Sequence, residues 1–329
     1  MSHGGGGTRS RELIENMIAG LFKNPILGQM DDSALLSLPD TEIAFTTDSY
    51  VVRPLFFPGG DIGKLAACGT LNDLAVQAAR PLYLSLGLIL EEGFALPELE
   101  TVLRSMAEVL ENSNVRLVTG DTKVVERGAG FGVLINTSGI GVRTPGIDAR
   151  VSNARPGDVV ILSGTLGDHG IAVLSRREGL EFETELESDT AVLWPMIAPL
   201  LDAGLDIHCL RDPTRGGAAQ ALCDIAESSG AGIRIREKNL PIRPPVRAAC
   251  RLLGFDPLEV ANEGKAIVIC PAVEAQRALE ILRAHPAGRQ ACIIGDVEEE
   301  PRSRVLLETA PGGRRLVDAP SGENLPRIC

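Results

Sequence analysis

Apolar residues recur along the chain in two rhythms. At helical spacing, Leu13, Ile14, Met17, Ile18 and Leu21 predict a helix from Ser10 to Phe22. Helices are likewise expected over Asp61–Ala79, Pro97–Ser113, Thr190–Ala203, Thr214–Ser229, Pro244–Leu253 and Val273–Ala284. Short apolar runs at Glu42–Thr47, Pro81–Leu90, Val115–Thr119, Val133–Val142, Val159–Leu162, Ala266–Cys270 and Ala291–Ile294 predict strands. Strands and helices alternating in this way predict an α/β (α+β) chain. Asp61 stands where an N-cap is needed, and Ala66, Ala67, Cys68 and Gly69 behind it permit close helix packing. The turn signal Arg155-Pro156-Gly157-Asp158 follows a natural break, so the expected division is 1–150, 151–310 and a flexible tail at 311–329.

Composition narrows this picture. A length of 329 residues suits two domains of ordinary size. A formal net charge of −12 argues against nucleic acid or an anionic membrane as a partner of the whole protein. The polar, glycine-rich start is unlike a signal peptide, and Pro81–Leu90 is too short to span a bilayer. Seven cysteines lie dispersed at 68, 209, 223, 250, 270, 292 and 329, without CxxC spacing. That distribution argues against a disulfide framework or a structural zinc and points to the reducing cytoplasm. Most of the internal cysteines sit in apolar runs, as small hydrophobes do. Cys329 instead ends the chain, after a stretch at 318–325 rich in turn formers, where a thiol can reach a site elsewhere as a carrier.

Acidic residues carry the candidate chemistry. Asp31 and Asp32 precede the first strand, Asp48 follows it, Asp73 interrupts the apolar helix after Asn72, and Asp121 follows the strand at 115–119. Lys123 stands two residues beyond Asp121, separated from it by Thr122. Hard oxygen ligands beside an ammonium suit a magnesium–phosphate site, since the ion bridges phosphate oxygens and the cation offsets remaining charge. The glycines Gly4 to Gly7 before the first helix either approach an anion through backbone N–H groups or form a plain terminal tail. The loop Ser163–Gly170 either holds a phosphate or turns the chain, and no G-x-x-x-x-G-K-[ST] loop is present. In Arg211-Asp212-Pro213-Thr214-Arg215-Gly216-Gly217, Asp212 stands where an anion or second metal could bind, or the loop is an N-cap with proline in the first turn. Glu263 occupies the tight turn Asn262-Glu263-Gly264.

In order, His-Gly-Gly-Gly-Gly, Asp-Asp-Ser-Ala, Thr-Thr-Asp-Ser-Tyr, Gly-Thr-Leu-Asn-Asp-Leu-Ala, Thr-Gly-Asp-Thr-Lys, Asp-Pro-Thr-Arg-Gly-Gly, Asn-Glu-Gly-Lys and a terminal Pro-Arg-Ile-Cys span the whole chain. This series resembles the HypE family of hydrogenase maturation proteins, in the PurM-like superfamily of aminoimidazole ribonucleotide synthetase, selenophosphate synthetase and thiamine monophosphate kinase. The resemblance implies a two-domain PurM-like fold with a dimerising N-terminal domain and ATP near the shared interface. It implies a metal set drawn from Asp48, Asp73 and Asp121, with Asp31 or Asp32 added. Gly5, Gly6, Asp48, Asp73, Asp121, Thr122 and Asp212 are then the nucleotide-site residues, with Lys123 and Glu263 near the modified tail. The implied activity is ATP- and Mg2+-dependent dehydration of a carbamoyl group on Cys329 to a thiocyanate. Its implied partners are the carbamoyltransferase HypF, as donor, and an iron scaffold of HypC and HypD, as cyanide acceptor. Two alternatives stand beside it: a non-catalytic thiol carrier, and a superfamily enzyme acting on a free small molecule. Selenophosphate synthetases have a reactive Cys or selenocysteine near the N-terminal glycines, whereas the first cysteine here is Cys68.

Overall fold

The computed structural model describes residues 18–22, 42–128, 130–179 and 186–320. Gly5, Gly6, Asp31, Asp32 and Cys329 therefore lie outside the described residues, as does most of the helix expected from Ser10.

The first half forms β1 (Ile43–Tyr50), a short hairpin β2 (Phe56–Phe57) and β3 (Gly60–Asp61), helix α1 (Ile62–Val76), β4 (Ala79–Glu91), α2 (Leu96–Asn112), β5 (Arg116–Val125) and β6 (Val133–Arg143). Its four-stranded sheet runs β1-β6-β4-β5, antiparallel except for the parallel β4–β5 pair. Because strand side chains alternate between faces, Leu84, Leu86, Leu88, Leu90 and Ile135 point inward to a core shared with Leu65 and Leu71 of α1 and Leu99 and Leu103 of α2. The other face is left open and carries Ile43, Phe45, Ile89 and Val125, all exposed, with Phe45 at 68%.

Asp61 caps α1 as expected, accepting from the amides of Gly63 (2.7 Å) and Lys64 (3.2 Å) and from Ser105 Oγ (2.6 Å). The helices meet so closely that a Cβ on Gly63 would lie 2.0 Å from the carbonyl oxygen of Val102. Backbone cannot yield as a flexible side chain does, so Gly63→Ala is expected to destabilise the fold by about 2–4 kcal/mol, measured as a lowered midpoint in urea unfolding.

The second half forms β7 (Asp158–Leu162), α3 (Asp168–Glu178), α4 (Trp194–Asp202), β8 (Cys209–Arg211), α5 (Gly217–Ser229), β9 (Gly232–Arg236), α6 (Pro244–Leu253), β10 (Ile267–Pro271), α7 (Ala275–Ala284), β11 (Cys292–Glu298), β12 (Val305–Glu308) and β13 (Arg314–Val317). The strands order as β13-β12-β9-β11-β7-β10-β8. Helix α5 covers one face of this sheet through Leu222 and Ile225, and α4 and α7 cover the other through Ile197, Leu200 and Leu282. Strands covered on both faces need apolar residues at every position, which is why Val159–Leu162 and Ala266–Cys270 read as unbroken runs. Ala75, Val76 and Ala78 at the end of α1 join the core beneath α4, so the halves share packed surface.

Three expectations change. Asp48 and Asp121–Lys123 sit inside β1 and β5 rather than beyond them, because the long β4 and β6 supply pairing partners that extend both strands. Helix α5 starts at Gly217, so Pro213 is not in its first turn; the Pro213 carbonyl accepts from Asn262 instead. The tail expected from 311 first contributes β13, an edge strand in which only Val317 is buried, too weak a pattern to mark a strand in sequence. Among the described residues, no helix is long and apolar enough to cross a membrane.

Candidate active site

Alternation along β1 sends Thr46, Asp48 and Tyr50 towards α1, where Asp73 lies on the facing turn. Thr46 Oγ1 donates to Asp73 Oδ2 at 2.8 Å, and the Tyr50 hydroxyl donates to Asp48 Oδ2 at 3.3 Å. From the other domain, Asp212 follows β8 and Glu263 precedes β10, and both are buried. Four carboxylates from four segments thus face one junction between the domains.

Their electrostatics reflect that crowding. Burial, then the charges of Asp212 and Asp48, lift Asp73 to about 7, against a smaller opposing effect of the Thr46 hydrogen bond. Burial also raises Asp212, with Arg211 offsetting part of the shift. Glu263, only 3% exposed, is pushed well above the carboxylate range by burial, then by Asp189, Asp212, Asp48 and Asp73. Tyr50 is raised by burial and then by Asp48.

Among the described residues, no three acidic, histidine or cysteine side chains converge tightly enough to hold a metal by themselves. Mg2+ in a nucleotide site takes one or two carboxylates and fills its shell with waters and phosphate oxygens. The surplus negative charge that raises Asp73 is the property a divalent cation would relieve. Asp48, Asp73 and Asp212 are the described carboxylates from which one or two such ligands could come.

A carboxyl whose folded pKa lies above its unfolded one favours the folded state at low pH and loses that contribution as pH rises to the folded pKa. The ligand-free protein should therefore lose thermal stability between about pH 4 and pH 7 through Asp73. Asp73→Asn should remove that loss and raise the melting temperature at pH 7.5. It should also weaken any stabilisation by ATP with Mg2+; differential scanning fluorimetry reads both.

Asp121 and Lys123 lie elsewhere. Asp48 aligns with Thr137, Leu86 and Gly120 across the sheet, whereas Asp121 and Lys123 pair with Gly87 and Ile89 and occupy the open face. Within one chain, then, they are not brought to Asp48, Asp73 or Glu263. Thr122, between them, pairs with Leu88 on the covered side. The glycine loop before α3 is committed to the protein itself, since the Gly167 amide donates to Asn262 Oδ1 at 2.7 Å and the Leu166 amide to the Pro241 carbonyl.

The structure adds residues that the sequence did not mark. Asn72 is fully enclosed and reaches across the domain junction, donating to the carbonyls of Ala191 (3.0 Å) and Glu263 (3.2 Å) and accepting from the Leu193 amide (2.8 Å). Asp189 accepts from the amides of Glu263 (3.1 Å) and Gly264 (3.2 Å) and from Lys265 Nζ (3.0 Å). Burial opposes its ionisation, but Lys265, His169 and the Glu263 amide outweigh that and hold it below the usual range. Asn72 could have been noticed as the neighbour of Asp73. Asp189 lies in a polar stretch that carries no periodic signal.

Comparison with known proteins gives concordant matches. Residues 30–143 match the family described as AIR synthase related protein, N-terminal domain, and residues 155–308 its C-terminal domain. Carbamoyl dehydratase HypE of Azotobacter vinelandii is 52% identical over 329 residues, covering 100% of this chain and 96% of its own. A crystal structure of hydrogenase maturation protein HypE in complex with ATP matches with a TM-score of 0.97 at 46% identity, covering 100% of this chain and 99% of that one. A HypE–HypF complex matches with a TM-score of 0.82 at 48% identity, over 94% and 99% of the two chains.

Proposed function

This chain belongs to the AIR synthase related family, in its HypE carbamoyl dehydratase branch, and on that premise we propose how its residues convert an S-carbamoyl group on Cys329 to S-cyanate. The observation that carries the reading is the buried Glu263 carboxylate facing Asp48, Asp73 and Asp212 across the domain junction. It combines a strong base with a site for a metal–nucleotide complex.

The thiocarbamate S–CO–NH2 carries its leaving oxygen as a poor leaving group. Attack of that oxygen on the γ-phosphorus of ATP releases ADP, and loss of one N–H proton gives S–C(OPO3)=NH. Removal of the second N–H proton, with cleavage of the C–O bond, expels phosphate and leaves S–C≡N. Glu263 is the proposed acceptor at the nitrogen: a carboxylate so strongly disfavoured by its surroundings is a strong base once ionised. Asp48, Asp73 and Asp212 would hold Mg2+, which when bound supplies charge neutralisation at the phosphoryl oxygens. Gly5, Gly6, Asp31 and Asp32 belong to the same proposed nucleotide site.

Asp121 and Lys123 enter through dimerisation, whereas Thr122, paired with Leu88, stays on the covered face. The open face of the first sheet carries Ile43, Phe45 and Ile89 beside Asp121 and Lys123. A second copy packed on this face would cover apolar surface and carry its own Asp121 and Lys123 to a shared interface. The proposed carbamoyl donor is HypF, with a HypC–HypD iron scaffold as cyanide acceptor and the reducing cytoplasm as the setting in which the thiol stays free.

The decisive test is mass spectrometry of the C-terminal peptide after exposure to the carbamoyl donor, with and without MgATP. Dehydration predicts the loss of one water from carbamoylated Cys329 only when ATP is present. A peptide that stays carbamoylated with ATP would leave a thiol carrier as the better description.

A further inference from the structure

The buried ion pair of Asp189 and Lys265 has no place in the chemistry above, yet it touches the peptide of Glu263 directly. Asp189 Oδ1 accepts from the Glu263 amide at 3.1 Å and Oδ2 from the Gly264 amide at 3.2 Å, while Lys265 Nζ closes on Oδ2 at 3.0 Å. Both side chains are nearly inaccessible, at 4% and 8% exposure. The Glu263 carbonyl is held from the other side, by the Ala191 amide at 3.3 Å and by Asn72 Nδ2 at 3.2 Å. Every polar atom of the Glu263 backbone is thereby fixed, and one of the clamps comes from α1, the residue before Asp73. Contact at this turn is so close that a Cβ on Gly264 would lie 1.9 Å from the Asp189 carbonyl oxygen.

An ion pair in such a place is costly to bury, and hydrophobic replacements of similar volume are often as stable. What apolar residues could not do is accept two consecutive amide protons and hold a tight turn in one orientation. We infer that Asp189, with Lys265 as its counter-charge, is a positioning residue that aims the Glu263 carboxylate, and that Asn72 ties this frame to the helix carrying Asp73. The inference rests on Glu263 being the proton acceptor. Asp189 touches no reacting atom in this scheme; it acts through the backbone of Glu263 and through the loop 188–193.

The test uses full-length protein carbamoylated at Cys329, with single-turnover dehydration followed by mass spectrometry and ATP affinity by titration with a fluorescent nucleotide. Two variants are compared, Asp189→Asn and the double variant Asp189→Asn with Lys265→Met, the second leaving no unpaired buried charge to compromise folding. A misaimed base should slow dehydration about 10–100-fold, as small displacements of reacting groups do, with ATP affinity unchanged. In a Glu263→Asp background, whose carboxylate is already set back by one methylene, the further loss should shrink. An unchanged rate, an equal fall in ATP affinity, or an undiminished loss in the Glu263→Asp background would each overturn the positioning role. A Glu263→Gln protein working at normal rate would instead sink the proton-acceptor reading itself; a slow Glu263→Gln protein beside unaffected Asp189 variants rejects this inference alone.

Discussion

Glu263→Gln is expected to slow ATP-dependent dehydration of the carbamoylated tail by about 10²–10⁴-fold, the usual worth of a positioned general base. The amide keeps the size of the side chain and, being neutral, suits its buried place at least as well as the acid, which its surroundings already push towards the uncharged form. Folding should therefore be intact and nucleotide binding retained, so the loss reports chemistry. Single-turnover mass spectrometry of the tail, paired with nucleotide titration, separates the two. Dehydration at the normal rate would remove Glu263 from the mechanism.

Cys329→Ser should abolish formation of the thiocyanate altogether. The serine hydroxyl is far less ionised at neutral pH than a free thiol and a much weaker nucleophile towards an activated carbamoyl group. No other cysteine can take over. Burial pushes Cys68, Cys209 and Cys270 up to about 12 and Cys223 and Cys250 up to about 11, and it raises Cys292 as well. Thiols in that state are rarely thiolates, the reactive form. Brief iodoacetamide treatment of the native protein at pH 7 followed by peptide mapping should accordingly label Cys329 first. Rapid labelling of an internal cysteine would contradict this account, as would any water loss in the Cys329→Ser protein on addition of MgATP.

The elements differ in how far their own residues announce them. Helix α6 is amphipathic and flanked by Pro244 and Gly254, and its observed span equals the expected one. The Asp61 cap was legible because N-capping is a local interaction between residues two and three apart. Strand ends were less legible, since a strand continues as far as its neighbours pair with it. Asp48 and Asp121 looked alike, each an acid after an apolar run. In the sheet they fall on opposite faces, because one residue of register reverses the direction of a side chain.

Sequence alone determined the α/β alternation, the candidate aspartates of the first half, the terminal thiol and the family that these motifs in their order mark. Each is a property of neighbouring residues, or of residue types in a fixed order, and needs no knowledge of distant contacts. Only the tertiary structure decided that Asp48 and Asp73 meet Asp212 and Glu263, that Asp121 and Lys123 face away, and that Asn72 and Asp189 clamp Glu263 from both sides. These contacts join residues as many as 191 positions apart. Their chemistry comes from burial and mutual repulsion, which arise only when the chain has packed.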